Sequence, residues 1–520
     1  MAELLHELLA DAAARRPDHP AVICRDRSLS YRELDQRAGA LTGRLVHAGV
    51  RRGDRVAILM NKSVDCVVAI YGILKAGAAY VPLDPTSPAQ RQAFVLSDCG
   101  VRFLVAEPRK RSAVVSVIGA GADLAGVFGL ELEPGVAASI GSWDDLDSAD
   151  PVAVSTGAGD LCYVLYTSGS TGTPKGIMHT HASAMAWARV STSAFGLQPD
   201  DRLSNYAPLH FDLSTLDLFG SALLGATMVM IPEEHLKLPA SLAGLLAAEK
   251  ISVFYTVPYA LIQLELHGGL ERYDWSSLRW VLFGGEPMSV KHLRSLMSRW
   301  PGARFANVYG PTETNGCTYH VLPGLPPADA TLPIGRLNDG VERLIIDETG
   351  APVAEGEPGE LLIRAATTMQ GYWNRPDLNA RVFFDPRDSG AKYVRTGDMV
   401  RVGSDGNLEF LGRRDRLIKT RGSRVELDDV EAVLASSVSV EEAAVFARPD
   451  ENGSLLIHAA ATLLGGVEAG EADLRRHLKE RLPPYAQPVS LTIYSKFPRT
   501  ATGKIDRRRL RDEVQEGASA

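Results

Sequence analysis

The chain contains no CxxC pair and no closely spaced set of cysteines: its five, Cys24, Cys66, Cys99, Cys162 and Cys317, are scattered and odd in number. Neither a disulfide framework nor a zinc site is expected, and this usage fits a reducing cytoplasm. No run reaches the roughly 18 apolar residues of a membrane span, so no membrane partner is expected. The opening MAELLHELLADAAARR carries acidic residues and helical apolar spacing, without the basic start and unbroken apolar stretch of a signal peptide. An excess of basic residues is missing too. With 55 Lys and Arg against 63 Asp and Glu the net charge is -8, which argues against a general nucleic-acid binder. The basic cluster Arg507, Arg508, Arg509 and Arg511 reads as a solvated helix face or a place for an acidic protein partner. Repeats and long low-complexity tracts are lacking, and the Gly- and Ala-rich stretch 119–135 reads as a surface connection.

What the chain does have is enough apolar residue, 45% of 520 positions, for a large core and more than one domain. Apolar β-branched runs (Val56–Leu59, Phe103–Val105, Met228–Ile231) alternate with helix-like stretches (Ser63–Ala76, Leu242–Glu249). That alternation predicts an α/β body with mostly parallel sheets. After about Thr331 the texture changes to short strands punctuated by Gly, Pro, Asp and Asn, such as Val341–Ile346, Glu360–Arg364 and Leu408–Leu411, predicting a small β-rich subdomain. The last hundred or so residues carry strand and helix signals of their own, and the boundary falls at Arg414/Asp415.

The most particular segment follows the buried-strand pattern Leu161–Tyr166 and reads TSGSTGTPKG, from Thr167 to Gly176. Glycines allow tight backbone there, while hydroxyls and main-chain N–H groups can surround phosphate oxygens, with Lys175 adding positive charge. A P-loop would need Gly-Lys-Ser/Thr in order; here Pro174 precedes the lysine and Gly176 follows it. Six further strings accompany it in order: LSYREL (Leu29–Leu34), LKAGAAYVPLDP (Leu74–Pro85), NVYGPTET (Asn307–Thr314), YVRTGD (Tyr393–Asp398), GRRD (Gly412–Asp415) and PRTATGKIDR (Pro498–Arg507). Together they resemble the adenylate-forming superfamily of acyl-CoA synthetases, luciferases and nonribosomal-peptide-synthetase adenylation domains, over nearly the whole chain. LKAGAAYVPLDP is similar to the amino-acid-activating branch.

The resemblance implies a large N-terminal domain (1–414) of two flavodoxin-like βα sheets plus a small β-barrel-like subdomain, then a small mobile α+β domain (415–520) turning on a hinge at Asp415. It implies ATP and Mg²⁺. Thr167, Ser168, Gly169, Ser170, Thr171, Gly172 and Thr312 would meet phosphates, and Glu313 would hold the metal. Tyr309, beside Gly310, would stack on adenine and Asn307 would bond its edge. Asp398, assisted by Arg413, would hold the ribose, although an aspartate after Thr-Gly can also simply cap a turn. Lys175 and Lys504 supply positive charge, Lys504 matching the family's catalytic lysine in the first half-reaction. The stretch 417–431 resembles the loop presented to the acceptor, departing from it in having LDDVE where LGEIE is common.

Substrate expectations come from the same resemblance. In His210-Phe211-Asp212-Leu213-Ser214, Asp212 matches the carboxylate that pairs with a substrate α-ammonium; a helix N-cap is the competing reading. The remaining pocket positions are assigned to Leu213, Leu216, Tyr255, Val281, Phe283, Gly285, Val308, Gly316 and Cys317. None is charged, which predicts a small neutral amino acid, alanine- or proline-like. Neither a phosphopantetheine attachment motif nor a condensation motif is present, so the expected acceptor is the thiol of a separate carrier protein, in natural-product biosynthesis such as that of antibiotics. Two alternatives stay open: an acyl-CoA synthetase acting on a small carboxylic acid, and a silent nucleotide-binding scaffold.

Overall fold

A computed structural model describes residues 2–133, 136–148, 152–167, 173–386, 389–465, 469–499 and 505–516. The chain divides into two compact units: Met1–Pro85, Ala93–Tyr166 and Gly176–Arg414 in the first, and Thr86–Gln92, Thr167–Lys175 and Asp415–Ala520 in the second.

The first unit is built on three sheets. One runs Arg336–Leu337, Thr318–Val321, Arg304–Tyr309, Trp280–Gly284, Val253–Thr256, Arg202–Asn205, Thr227–Met230, Pro20–Cys24, Arg27–Ser30. Its six central strands are parallel, and the strands at its margins are antiparallel. A second runs Gly371–Tyr372, Lys175–Thr180, Leu161–Thr167, Ala79–Pro82, Arg55–Leu59, Phe103–Ala106, Gly126–Phe128, Ala138–Ser139. The third is a five-stranded antiparallel sheet made of Glu342–Ile346, Gly359–Arg364, Tyr393–Val402, Phe383–Phe384 and Leu408–Arg413, where the sequence predicted short strands. The body is thus α/β, with an antiparallel appendage.

Two of the strings that carried the resemblance turn out to be folding signals. In LSYREL, Ser30 Oγ accepts the Glu33 N–H at 3.3 Å and Glu33 Oε2 accepts the Ser30 N–H at 2.7 Å, a capping box that starts the helix Tyr31–His47. Tyr31, 1% exposed, donates its hydroxyl to the Ala226 carbonyl at 2.6 Å and so ties that helix to the first sheet. In LKAGAAYVPLDP the helix Val64–Lys75 ends at a turn where Gly77 has φ +72°, followed by the fully buried strand Ala79–Pro82. Both are means of burying one βα unit against its neighbour.

The second unit is α+β. Val440–Pro449, Leu455–Leu463 and Ser490–Tyr494 form one sheet, and Leu417–Thr420 pairs with Ser423–Glu426. Its helices Leu427–Ala435 and Glu471–Lys479 bury Val430, Leu434, Leu474 and Leu478 against Val445, Ile457 and Leu491. Arg416 is bound to Asp428, to Glu431 at 3.0 Å and to the Val445 carbonyl, and Arg507 reaches Glu431 at 2.5 Å. Arg507, predicted as part of a solvated face, is therefore structural, and Asp428 of LDDVE has a local partner.

Candidate active site

The nucleotide-binding candidates lie where the parallel strand Arg304–Tyr309 meets the antiparallel sheet. Asn307 and Tyr309 are two apart, so their side chains emerge on the same face. Asn307 is 9% exposed and its Nδ2 donates to the Pro333 carbonyl at 2.9 Å, which fixes the amide and leaves Oδ1 as acceptor. The Tyr309 hydroxyl donates to Asp398 Oδ2 at 2.5 Å, and Arg413 Nη1 donates to Asp398 Oδ1 at 2.5 Å. Asp398 is 4% exposed and faces Arg413 across the antiparallel register. Burial, reinforced by that carboxylate, holds the Tyr309 hydroxyl far above its ordinary range, so it stays a donor. Two carboxylate oxygens fixed in this way suit a grip on two vicinal hydroxyls.

The loop after that strand is tied down from three sides. Gly310 is obligatory: a Cβ there would lie 1.7 Å from the Asn315 carbonyl oxygen. Asn315 adopts φ +55°, its Nδ2 donating to the Thr367 carbonyl at 3.2 Å, and Thr367 Oγ1 donates to the Thr314 carbonyl at 2.7 Å. His179 Nε2 lies 3.0 Å from the Thr312 carbonyl, and burial pushes this ring down to about 4, so at neutral pH it is uncharged. Glu313, 3% exposed, accepts the Tyr372 hydroxyl at 2.8 Å. A carboxylate is the kind of oxygen ligand a hard cation such as Mg²⁺ takes. Tyr372 and His179, which hold this loop, were not among the expected residues, because nothing near them in sequence points to residues 312–313.

Thr167 ends the strand Leu161–Thr167, and its Oγ1 is buried without a hydrogen-bond partner among the described residues, a hydroxyl available to a phosphate oxygen. Lys175 opens the strand Lys175–Thr180. Ser168, Gly169, Ser170, Thr171, Gly172 and Lys504 lie outside the described residues.

The acid-pocket candidates separate into groups. Leu213, Leu216, Tyr255 and Val308 share one apolar cluster with Trp187 and Leu282. Val281 and Phe283 do not join it. They pack with Phe254, Leu293, Leu296 and Phe305 in another cluster, because side chains alternate along Trp280–Gly284 and theirs take the opposite face. Leu282, paired in register with Tyr255, stands on the same side as Tyr255 and alternates with Val281 and Phe283. Cys317 packs with Ile334, Val400 and Leu408 while its thiol points to the Tyr309 carbonyl at 3.6 Å. Gly316 remains, and its importance is steric: a Cβ there would come 2.4 Å from the Trp187 ring. Trp187 was missed because it reads as a core position of the helix His181–Ala194.

Asp212 is half-buried at the start of a tight turn whose hydrogen bonds use main-chain carbonyls: Thr215 N–H and Oγ1 donate to the Asp212 carbonyl at 2.9 and 2.6 Å, and Ser214 Oγ to that of Phe211 at 2.7 Å. The turn leads into a π-helical stretch, Leu216–Gly220. The His210 ring lies tilted against Phe211 at 4.6 Å between centroids, and Gly285 follows the strand Trp280–Gly284 with φ +95°. Asp415 accepts the Leu417 N–H at 3.3 Å.

Comparison with known proteins follows the same outline. The family profile "AMP-binding enzyme" matches residues 9–373, and "AMP-binding enzyme C-terminal domain" matches 429–504. An L-proline–[L-prolyl-carrier protein] ligase of Pseudomonas fluorescens is 36% identical over 99% of this chain and 100% of its own length. Surfactin synthase subunit 1 of Bacillus subtilis is 35% identical over 97% of this chain, which spans only 14% of that longer protein. Among solved structures, the amide bond synthetase McbA of Marinactinospora thermotolerans superposes with a TM-score of 0.88 at 25% identity, covering 98% of this chain and 99% of that one.

Proposed function

The chain belongs to the AMP-binding enzyme family, and from that premise we propose that it joins a small neutral amino acid, proline-like or alanine-like, to AMP at the expense of ATP. It then passes the aminoacyl group to the phosphopantetheine thiol of a separate carrier protein. The observation that carries this reading is the full-length identity of 36% with a prolyl-carrier-protein ligase. The half-buried Asp212 supports it, since a carboxylate beside an apolar wall suits an ammonium and burdens an aliphatic acid. Residues 1–414 act as the core and 415–520 as a domain turning at Asp415 to bring Lys504 to the site. The enzyme works in the cytoplasm; among the described residues no helix is long and apolar enough to cross a membrane.

In this mechanism the residues chiefly bind and orient. Asn307 Oδ1 accepts from the adenine amino group, the Tyr309 ring covers its face, and Asp398 accepts both ribose hydroxyls while Arg413 holds it in place. Thr312, Thr167 and the loop 168–172 donate to phosphate oxygens. Asp212 holds the substrate ammonium, which aims the carboxylate at the α-phosphorus for in-line attack. Mg²⁺ at Glu313 would neutralise charge on the leaving pyrophosphate, and Lys175 and Lys504 would neutralise it on the attacked phosphate and the carboxylate.

ATP–pyrophosphate exchange measured over a panel of amino acids is expected to give a strong response for one small neutral member, followed by loading onto a pantetheinylated carrier. Lys504→Ala should abolish exchange and largely spare transfer from supplied aminoacyl-adenylate. Efficient thioester formation on free CoA with a non-amino acid would overturn the proposal in favour of an acyl-CoA synthetase.

A further inference from the structure

The second sheet holds a crevice that none of the site residues above reaches. Its parallel strands are ordered Ala79–Pro82, Arg55–Leu59, Phe103–Ala106, Gly126–Phe128. The first of these in sequence, Arg55–Leu59, therefore has its successors on both sides. With right-handed crossovers, the helices Val64–Lys75 and Arg111–Gly119 leave the neighbouring strands Arg55–Leu59 and Phe103–Ala106 toward opposite faces of the sheet. Between the two departing loops lies a topological switch point, the place where open α/β sheets bind ligands. A cavity of about 410 Å³ occupies it, lined by Met60, residues 63–65, 107–109 and 142–144, together with Gly129 and the turn 24–27.

One wall is preformed. The Trp143 indole donates to the Ala106 carbonyl at 2.8 Å and packs edge-on against Phe128 at 5.1 Å. Gly129, at φ +93°, makes room for it: a Cβ there would stand 2.1 Å from the Ala106 oxygen and 2.3 Å from the indole nitrogen. Several charges in the lining are already engaged. Arg27 is bound to Asp65 at 2.5 Å, Arg25 to Glu234 at 2.8 Å, and Glu107 accepts the Asn61 N–H at 2.9 Å. Three are not: the exposed side chains of Arg109, Asp26 and Asp144 form no hydrogen bond or ion pair with any described residue. The crevice thus offers an aromatic wall flanked by one open cation and two open carboxylates.

We propose that this crevice is a second ligand site, taking a free α-amino acid with an aromatic side chain: the carboxylate on Arg109, the ammonium at Asp144 or Asp26, and the ring along Trp143 with Met60 and Val64. The size is right for one such molecule, and a zwitterion meets both signs of unengaged charge, whereas an anion alone would face the two carboxylates. The site is separate from the one that activates the substrate and does not rest on the identity of that substrate.

Calorimetric titration with L-phenylalanine, 3-phenylpropionate and phenethylamine tests this. The wild-type protein is expected to bind L-phenylalanine, and each single-charge analogue about tenfold or more weakly. Arg109→Ala should weaken L-phenylalanine by a similar factor, and Ser142→Trp, which fills the crevice, should remove binding. Both variants should retain wild-type pyrophosphate exchange in the absence of phenylalanine. Three results would each overturn the proposal: no binding by the wild type in the millimolar range, equal binding of all three probes, or unchanged phenylalanine affinity in Arg109→Ala or in a folded Ser142→Trp.

Discussion

Gly316 shows how much one absent methyl group can decide. The Trp187 ring occupies the space a Cβ would need, at 2.4 Å from its ideal position, so Gly316→Ala must displace the indole toward Leu216, Tyr255 and Val308. Overpacking of this kind costs about 1–3 kcal/mol. Here it falls on the acid pocket rather than on the nucleotide. The expected outcome is a KM for the amino acid raised by about tenfold, a factor worth roughly 1.4 kcal/mol, with the KM for ATP little changed. Trp187→Phe in the same chain should recover part of the loss. Steady-state exchange kinetics on the single and double variants would measure it; equal effects on both KM values would contradict the assignment of Gly316 to the acid pocket.

Between elements, one buried polar connection is one the sequence did not advertise. Lys62 follows the strand Arg55–Leu59 and is only 3% exposed. Its Nζ donates to the carbonyls of Asn205 and Tyr206 at 2.7 and 2.6 Å, at the end of a strand of the other sheet. Asn205 Nδ2 in turn lies 3.4 Å from Asp217 in the π-helical stretch, whose other oxygen has no hydrogen-bond partner among the described residues. Lys62→Met would leave two buried carbonyls without their donor, and a loss of about 2–5 kcal/mol is expected, at about 1–3 kcal/mol for each orphaned buried group. Adding Asp217→Asn should return part of it, a recovery visible in urea unfolding; strict additivity of the two changes would show the groups to be uncoupled. Asn-Lys-Ser in a turn reads as solvated, and no local pattern shows that a lysine there will be covered by a second sheet. The same limit explains the pocket. Residues fixed by a contiguous string, such as Asp398 in YVRTGD or Gly310 in NVYGPTET, were legible. Which face a strand turns to its neighbours was not: Val281 and Phe283 lie in one cluster and Leu282 in another, a division set by packing across the sheet. The alternation of apolar strands and helices made the α/β body legible, whereas strand order in the sheets depends on long-range pairing and was not.

For the molecule as a whole, acidity is the relevant stress. His6, His179 and His181 are each pushed by burial down to about 4, against an ordinary value of about 6.5. Between these limits the unfolded chain binds protons that the fold refuses, so stability is full above about pH 6.5 and falls as pH drops toward 4. Each histidine contributes up to about 1.4 kcal/mol per pH unit in that window. Melting temperature should therefore decline from pH 7 to 5, before most carboxylates titrate; a flat profile over that range would contradict the buried neutral rings. The alternating strand Trp280–Gly284 has a bearing on how such an enzyme changes its substrate over time. Its odd-numbered residues Val281 and Phe283 pack into one apolar cluster and Trp280 and Leu282 into another, so two packing environments are interleaved along it. Drift at Leu282, which packs beside the proposed pocket residues Tyr255 and Val308, would reshape that side while Val281 and Phe283 hold the other, so a lineage could explore new amino acids without passing through an unfolded ancestor.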